Sequence, residues 1–257
     1  MSEKDVLVTG VASGIGLETV RQLAATGVRV VGVDLNEPPA DLPLAYFVQA
    51  DLSSRSGIDA MLARVPARLD GVVNVAGVPS SMPWLLQFKV NFLAARYIVE
   101  HTRERLSDDG SVVTVASGTG FRWRESIDAW SPLTTSASYE AGLAWLEQHP
   151  QEGLHSYSKS KEAIIVWTVQ EGARWAGSGQ RLNAVSPGPV DTPMITQFRS
   201  ALGDELIDSD ISRGGRIGTP EDIAPVIAFL LSDASAWICG ENVSVDGGFA
   251  ASMLTAP

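Results

Sequence analysis

Apolar, β-branched runs recur along the chain at 6–8, 29–33, 45–48, 71–75, 111–115, 181–185 and 242–245. Several hold apolar side chains at consecutive rather than alternating positions, as expected of strands covered on both faces. Between them the apolar positions spread out to helical spacing. Gly16, Val20, Leu23 and Gly27 mark one such helix, and the pattern predicts others over 85–106 and 157–176. Strand followed by helix, repeated with right-handed crossovers, predicts an α/β fold built on one doubly wound parallel sheet of about seven strands. No repeat, low-complexity tract or linker divides the 257 residues, so a single domain over 1–257 is expected.

Residues 121–154 break the rhythm. This stretch carries Phe121, Trp123, Trp130, Tyr139 and Trp145, with a helical pattern over 139–148 that stops before Pro150. A connection this long, with helical structure of its own, predicts an inserted element between the fifth strand and the next long helix. Two roles suit it, a substrate lid or a packing and subunit-contact arm.

Charge narrows the function classes. Thirty acidic against nineteen basic residues give a formal net charge of −11. Neither nucleic acid nor an anionic membrane is an expected partner, because both need a basic face. The apolar run at 224–231 is interrupted by Pro225 and is far shorter than the roughly 20 residues of a membrane span. The charged start Met1-Ser2-Glu3-Lys4-Asp5 does not have the form of a secretory signal. A lone cysteine, Cys239, has no disulfide or zinc partner, and its apolar setting predicts a core position. His101, His149 and His155 offer no i, i+4 ligand pair, so no metal is expected. A cytoplasmic location fits these features.

The candidate chemistry begins at Thr9-Gly10-Val11-Ala12-Ser13-Gly14-Ile15-Gly16, between the first strand and the first helix. Gly10 permits a tight turn, Gly14 lets backbone approach a pyrophosphate, and Gly16 allows helix and strand to pack closely. The helix then offers its free N–H groups to phosphate. Asp34 ends the second strand, 18 residues after Gly16. Its carboxylate suits an adenosine ribose and repels a 2′-phosphate, and no Lys or Arg stands nearby to favour one. These features predict a Rossmann-like site for NAD rather than NADP.

The glycine spacing resembles that of the short-chain dehydrogenase/reductase family, and further motifs agree in order. They are Asn74-Val75-Ala76-Gly77, Tyr157-Ser158-Lys159-Ser160-Lys161, Pro187-Gly188-Pro189-Val190-Asp191-Thr192-Pro193, Gly218-Thr219-Pro220-Glu221-Asp222 and Val245-Asp246-Gly247-Gly248. Val75 departs from the family's second asparagine. The resemblance covers the chain apart from the insertion. It implies an oxidoreductase that interconverts an alcohol and a carbonyl by hydride transfer. It further implies that Asp51 and Leu52 meet the adenine, that Asn74, Ala76 and Gly77 line the adenosine side, and that Pro187, Gly188, Val190 and Thr192 cover the nicotinamide. In the same way it makes Ser117, Tyr157 and Lys161 catalytic, with Asn91 in a kinked helix holding a water near Lys161.

Tyr157 and Lys161 stand four apart, on one helical face. A phenol of pKa about 10 needs roughly 4 kcal/mol of preferential stabilisation to work near neutrality. An ammonium at roughly 4 Å supplies up to about 4 kcal/mol at an effective dielectric near 20. A catalytically silent sensor of the same fold is the rival reading, but it should have lost one of Asn91, Ser117, Tyr157 or Lys161, and all four are present.

Ser117 and Tyr157 lie 40 residues apart. That insertion, with a short connection from Gly77 to Asn91, resembles a bacterial branch containing 3α-hydroxysteroid dehydrogenase/carbonyl reductases and coniferyl-alcohol dehydrogenases. The stretches 144–148 and 162–167 look closest to the coniferyl-alcohol type. The resemblance implies a small alcohol or ketone substrate, most simply an apolar aromatic or allylic alcohol, bordered by the insertion and residues 194–212. It also implies a homodimer or homotetramer. The family's usual contacts are the helices at 85–106 and 157–176, and with the insertion over them a dimer would use the apolar end, 249–257.

Overall fold

The computed structural model describes residues 4–255. Met1 to Glu3, on which part of the N-terminal reading rests, lie outside the described residues, as do Ala256 and Pro257 of the predicted C-terminal contact.

The first half alternates as the apolar pattern predicts: β1 (Asp5–Thr9), α1 (Gly14–Ala25), β2 (Arg29–Asp34), β3 (Tyr46–Gln49), α2 (Arg55–Leu62) and β4 (Leu69–Asn74). The next helix is not one regular piece. α3 (Trp84–Phe88) passes through a π turn over Lys89–Ala94 into α4 (Ala95–Thr102). Leu106, predicted at the helix end, instead opens β5 (Leu106–Val115), whose next residues are polar and which shifts register against β4. Then follow α5 (Ile127–Thr134), α6 (Tyr139–Gln148), α7 (Ser156–Trp175) and β6 (Arg181–Pro187). The chain closes with α8 (Pro193–Leu202), α9 (Asp204–Arg213), α10 (Pro220–Leu231), β7 (Asn242–Val245) and α11 (Phe249–Thr255).

All seven strands pair in parallel, in the order β3-β2-β1-β4-β5-β6-β7. Consecutive apolar residues serve two cores, one on each face. Leu7, Val72 and Val112 pack with α2, α4 and α7; Val8, Val73 and Val113 pack with α1 and α10. The apolar run at 224–231 is the body of α10, started by Pro220 and a reciprocal Thr219–Asp222 cap. Among the described residues no helix is long and apolar enough to cross a membrane.

The insertion packs as a second layer on the α4 and α7 face. Trp130, Leu133, Tyr139 and Leu146 are buried in the same core as Phe88, Phe92 and Trp167. Trp130 Nε1 donates to Glu162 Oε2 of α7 at 3.2 Å. The buried Arg96 guanidinium donates to the Leu133 carbonyl, to Ser136 Oγ and to the Ser136 carbonyl, tying α4 to the turn between α5 and α6. Cys239 does not enter the core. It is exposed beside the fully exposed Trp237, with its thiol on the Gly172 carbonyl.

Candidate active site

A cavity of about 630 Å³ opens at the carboxyl ends of the strands, where β1 and β4 send their chains to opposite sides. Gly10 turns with φ +79°, and a Cβ there would stand 2.7 Å from the Ala76 nitrogen. A Cβ on Gly16 would stand 2.0 Å from the Gly10 carbonyl oxygen. Only bare backbone lets α1 come this close to β1. Ser13, Gly14 and Ile15 border the cavity at the start of α1, where first-turn N–H groups have no partner within the helix. That cradle fits a dinucleotide pyrophosphate.

Asp34 borders the same space. Its two oxygens accept from the Ala12 and Asn36 nitrogens at 3.0 and 2.9 Å, which fixes the carboxylate at the tip of β2. Asp51, with an oxygen on the Ser53 nitrogen at 2.8 Å, and Leu52 continue the wall. Ala76 and Gly77 follow, held by bonds from the Val75 and Ala76 nitrogens to Thr9 Oγ1. Pro187, Gly188, Val190 and Thr192 close the opposite side. Asn74 departs from the expectation. It does not line the cavity, because its amide donates to the Ala95 carbonyl at 3.2 Å and ties β4 to α4.

Ser117, Tyr157 and Lys161 come together at the end of β5 and on the first turns of α7. Ser117 Oγ accepts from the Thr119 nitrogen and Thr119 Oγ1, at 3.2 and 3.1 Å. With its lone pairs so used, the hydroxyl keeps its proton for donation. Tyr157 is buried, and burial pushes its phenol up to about 12, with the Ser117 hydroxyl pulling the other way. Burial also pushes the Lys161 ammonium down to about 8. One dry environment causes both shifts, since it disfavours whichever form is charged. Lys161 Nζ donates to the Val115 carbonyl at 3.0 Å and lies 5.7 Å from the Tyr157 ring centre. The sequence alone suggested a more direct pairing of the two.

Asn91 lies on the π turn and does not reach the cavity surface. Its amide oxygen accepts from the Val78 nitrogen at 2.8 Å, and its nitrogen donates to the Val78 carbonyl and to Ser160 Oγ, both at 3.1 Å. It thereby pins the loop after β4 to α7. Thr119 and Ser160 had gone unnoticed in the sequence. Ser160 falls one turn after Tyr157 on the buried face, which is the only signal it gives.

Much of the rest of the wall is apolar, with Met82, Leu86, Val90, Met194, Phe198 and Phe249 among its residues. Phe198 packs edge-on to Tyr157 with ring centres 4.8 Å apart. From 121–154 only Leu154 reaches this wall, so the body of the insertion is no lid in this conformation. α8 and α9 stand where a lid would.

A family model described as short chain dehydrogenase matches residues 4–131, and one described as Enoyl-(Acyl carrier protein) reductase matches residues 137–250. A coniferyl-alcohol dehydrogenase from Pseudomonas sp. is 39% identical over 255 residues, 99% of each chain. A 3-alpha-hydroxysteroid dehydrogenase/carbonyl reductase from Comamonas testosteroni is 29% identical, covering 96% of this chain and 97% of its own. Among solved structures, the 3-alpha-hydroxysteroid dehydrogenase of Pseudomonas sp. B-0831, complexed with NADH, superposes with a TM-score of 0.80 at 29% identity, covering 99% of this chain and 100% of its own. The strand order, the glycine cradle and these full-length likenesses agree: the chain belongs to the short-chain dehydrogenase/reductase family of oxidoreductases.

Proposed function

We propose that this protein is an NAD-dependent alcohol dehydrogenase and carbonyl reductase acting on an apolar aromatic or allylic alcohol of the coniferyl-alcohol type. The observation that carries the reading is the opening of the glycine cradle and the Ser117–Tyr157–Lys161 cluster onto one cavity. The 39% identical coniferyl-alcohol dehydrogenase supports the substrate class. Asp34, fixed at the tip of β2, supports NAD over NADP, as does the NADH held by the hydroxysteroid dehydrogenase neighbour.

The bound nicotinamide supplies the hydride acceptor for alcohol oxidation and the donor for the reverse. The protein's own part is to place the alcohol and move its proton. Ser117 offers a hydroxyl donor to the substrate oxygen, and Tyr157 Oη exchanges the proton. From about 12, bringing the Tyr157 phenol near neutrality takes about 7 kcal/mol. The Ser117 hydroxyl is already counted in that starting value, so the stabilisation falls to positive charge, from Lys161 and from the oxidised cofactor. Asn91 and Ser160 hold the backbone around Lys161 and are positioning residues.

The test is turnover by purified protein with NAD or NADP, offered coniferyl alcohol, a 3α-hydroxysteroid and simple cyclic alcohols. NAD-linked oxidation of coniferyl alcohol, reduced about 10²- to 10⁴-fold in Tyr157→Phe, is the expected result. Stronger oxidation of the hydroxysteroid would reverse the substrate assignment in favour of the second reading, which the structural neighbour supports. NAD binding without turnover on the whole panel would leave a sensor. A cytoplasmic homodimer or homotetramer completes the proposal. The insertion occupies the α4 and α7 face, while Phe229 on α10 and Trp237 in the loop before β7 are large exposed apolar side chains. Sedimentation showing only monomer would reject both assemblies.

A further inference from the structure

α9 carries a carboxylate that the fold gives no reason to place where it is. Asp210 lines the cavity and is half-buried. Among the described residues its side chain makes no hydrogen bond or close ion pair, and Arg213 acts on it only through space. It lies in the last turn of α9, where the helix dipole disfavours negative charge. The cavity it lines is walled at α8 and α9 mostly by apolar side chains, among them Met194, Phe198, Leu202 and Ile207. Burial accordingly raises its pKa. Asp204 and Glu205 sit in the first turn of the same helix, where the dipole favours them, and Asp208 pairs with Arg199. Asp210 alone among these acids has neither support.

A partly desolvated carboxylate with both oxygens free is a strong acceptor for a donor that a ligand brings. The reacting end of the substrate is already served by Ser117 and Tyr157. We propose that Asp210 accepts a hydrogen bond from a second hydroxyl of the substrate, so that the site selects hydroxyaryl allylic alcohols over the same alcohols without the ring hydroxyl. This deepens the function proposed above and rests on it for the reacting group. The apolar wall takes the aromatic ring, and Asp210 distinguishes a phenol from a bare arene.

The experiment compares kcat/KM for 4-hydroxycinnamyl alcohol and cinnamyl alcohol, with saturating NAD, in the wild type, Asp210→Asn and Asp210→Ala. The wild type should favour the hydroxylated alcohol by about ten- to a hundredfold, the range for a hydrogen bond to a charged acceptor. The ratio should fall in Asp210→Asn, whose amide oxygen still accepts without charge, and approach one in Asp210→Ala. A wild-type ratio near one, or a preference that survives in Asp210→Ala, overturns the proposal. Both variants should melt no lower than the wild type, because the carboxylate satisfies nothing in the fold. If neither alcohol is oxidised, the proposed reaction has failed and Asp210 is judged by binding. The NAD-saturated protein is then titrated with 4-propylphenol and with propylbenzene, followed by tryptophan fluorescence. Tighter binding of the phenol, lost in Asp210→Ala, upholds the assignment; equal affinities reject it.

Discussion

Replacing Lys161 by methionine should abolish turnover and yet make the ligand-free protein less sensitive to acid. Lys161 is 4% exposed, and its hydrogen bond goes to the Val115 carbonyl. Burial pushes its pKa from the usual 10.5 down to about 8. Below about pH 8 the amine is protonated in folded and unfolded chains alike, and folding bears the whole difference, about 3 kcal/mol. Between about 8 and 10.5 the unfolded chain binds the extra proton, so stability rises with pH and the cost fades. Relative to Lys161→Met, the wild type should therefore gain about 2 kcal/mol between about pH 6.5 and pH 9.5. Tyr157 does not interfere in that window. Its phenol is raised to about 12 when folded and stays protonated in both states until the pH approaches 10. At neutral pH the variant also leaves the Val115 carbonyl without a donor, a loss of about 1–3 kcal/mol. The net change there should lie between about zero and a gain of 2 kcal/mol, which makes the pH slope the sharper readout. Urea unfolding of both proteins at the two pH values measures it. Parallel stability profiles would refute the claim that Lys161 is held dry at a cost to the fold.

Other substitutions probe the remaining parts. Gly16→Ala drives a methyl into the Gly10 carbonyl, so it should strain the cradle by about 1–3 kcal/mol or more and weaken NADH binding by at least tenfold in a fluorescence titration. Wild-type affinity would mean that α1 can retreat. Asp34→Ala removes the acceptors of the Ala12 and Asn36 nitrogens. It should lower kcat/KM with NAD by about tenfold or more and narrow the preference over NADP; a constant cofactor ratio would dissociate Asp34 from specificity. Leu146→Ala empties a fully buried site in the insertion. It should cost about 2–5 kcal/mol in chemical denaturation with the alcohol KM near that of the wild type, whereas a large KM change would restore the insertion as a lid.

The sheet was legible because burial on both faces writes consecutive apolar residues into each strand, as at Val112 and Val113. β5 was read too short because its opening residues, Leu106 to Gly110, are mostly polar and shift register against β4, so they carry no run of apolar positions. A π turn adds one residue without disturbing apolar spacing enough to notice, so α3 and α4 read as one helix. α8 buries none of its residues and α9 only Ile207, which leaves little period to detect. Within the site, Gly10 and Gly16 were legible because backbone geometry leaves few alternatives there, whereas Ser117, Tyr157 and Lys161 were reached through the ordered motifs that resemble the family. Asn74 was misplaced on the cavity because its motif does not reveal that Ala95 takes its amide. Asp210 gave no signal at all, since an aspartate in a polar helix looks the same whether it faces water or a cavity.

That contrast follows from how the site divides its labour. Strand ends and the first turns of α1 and α7 hold the cradle and the reacting cluster, and they are fixed by a sheet buried on both faces. Part of the remaining cavity wall comes from α8 and α9, which bury little and pack mainly on each other. Changes there cost the core little, so substrate preference can vary without disturbing hydride chemistry. The dry interior that raises Tyr157 and lowers Lys161 serves both halves. It strengthens every polar contact made inside. In such a cavity a carboxylate without a partner is conspicuous. Asp34 has two backbone donors to hold it in place and Asp210 has none, so whatever compensates Asp210 has to arrive with the ligand.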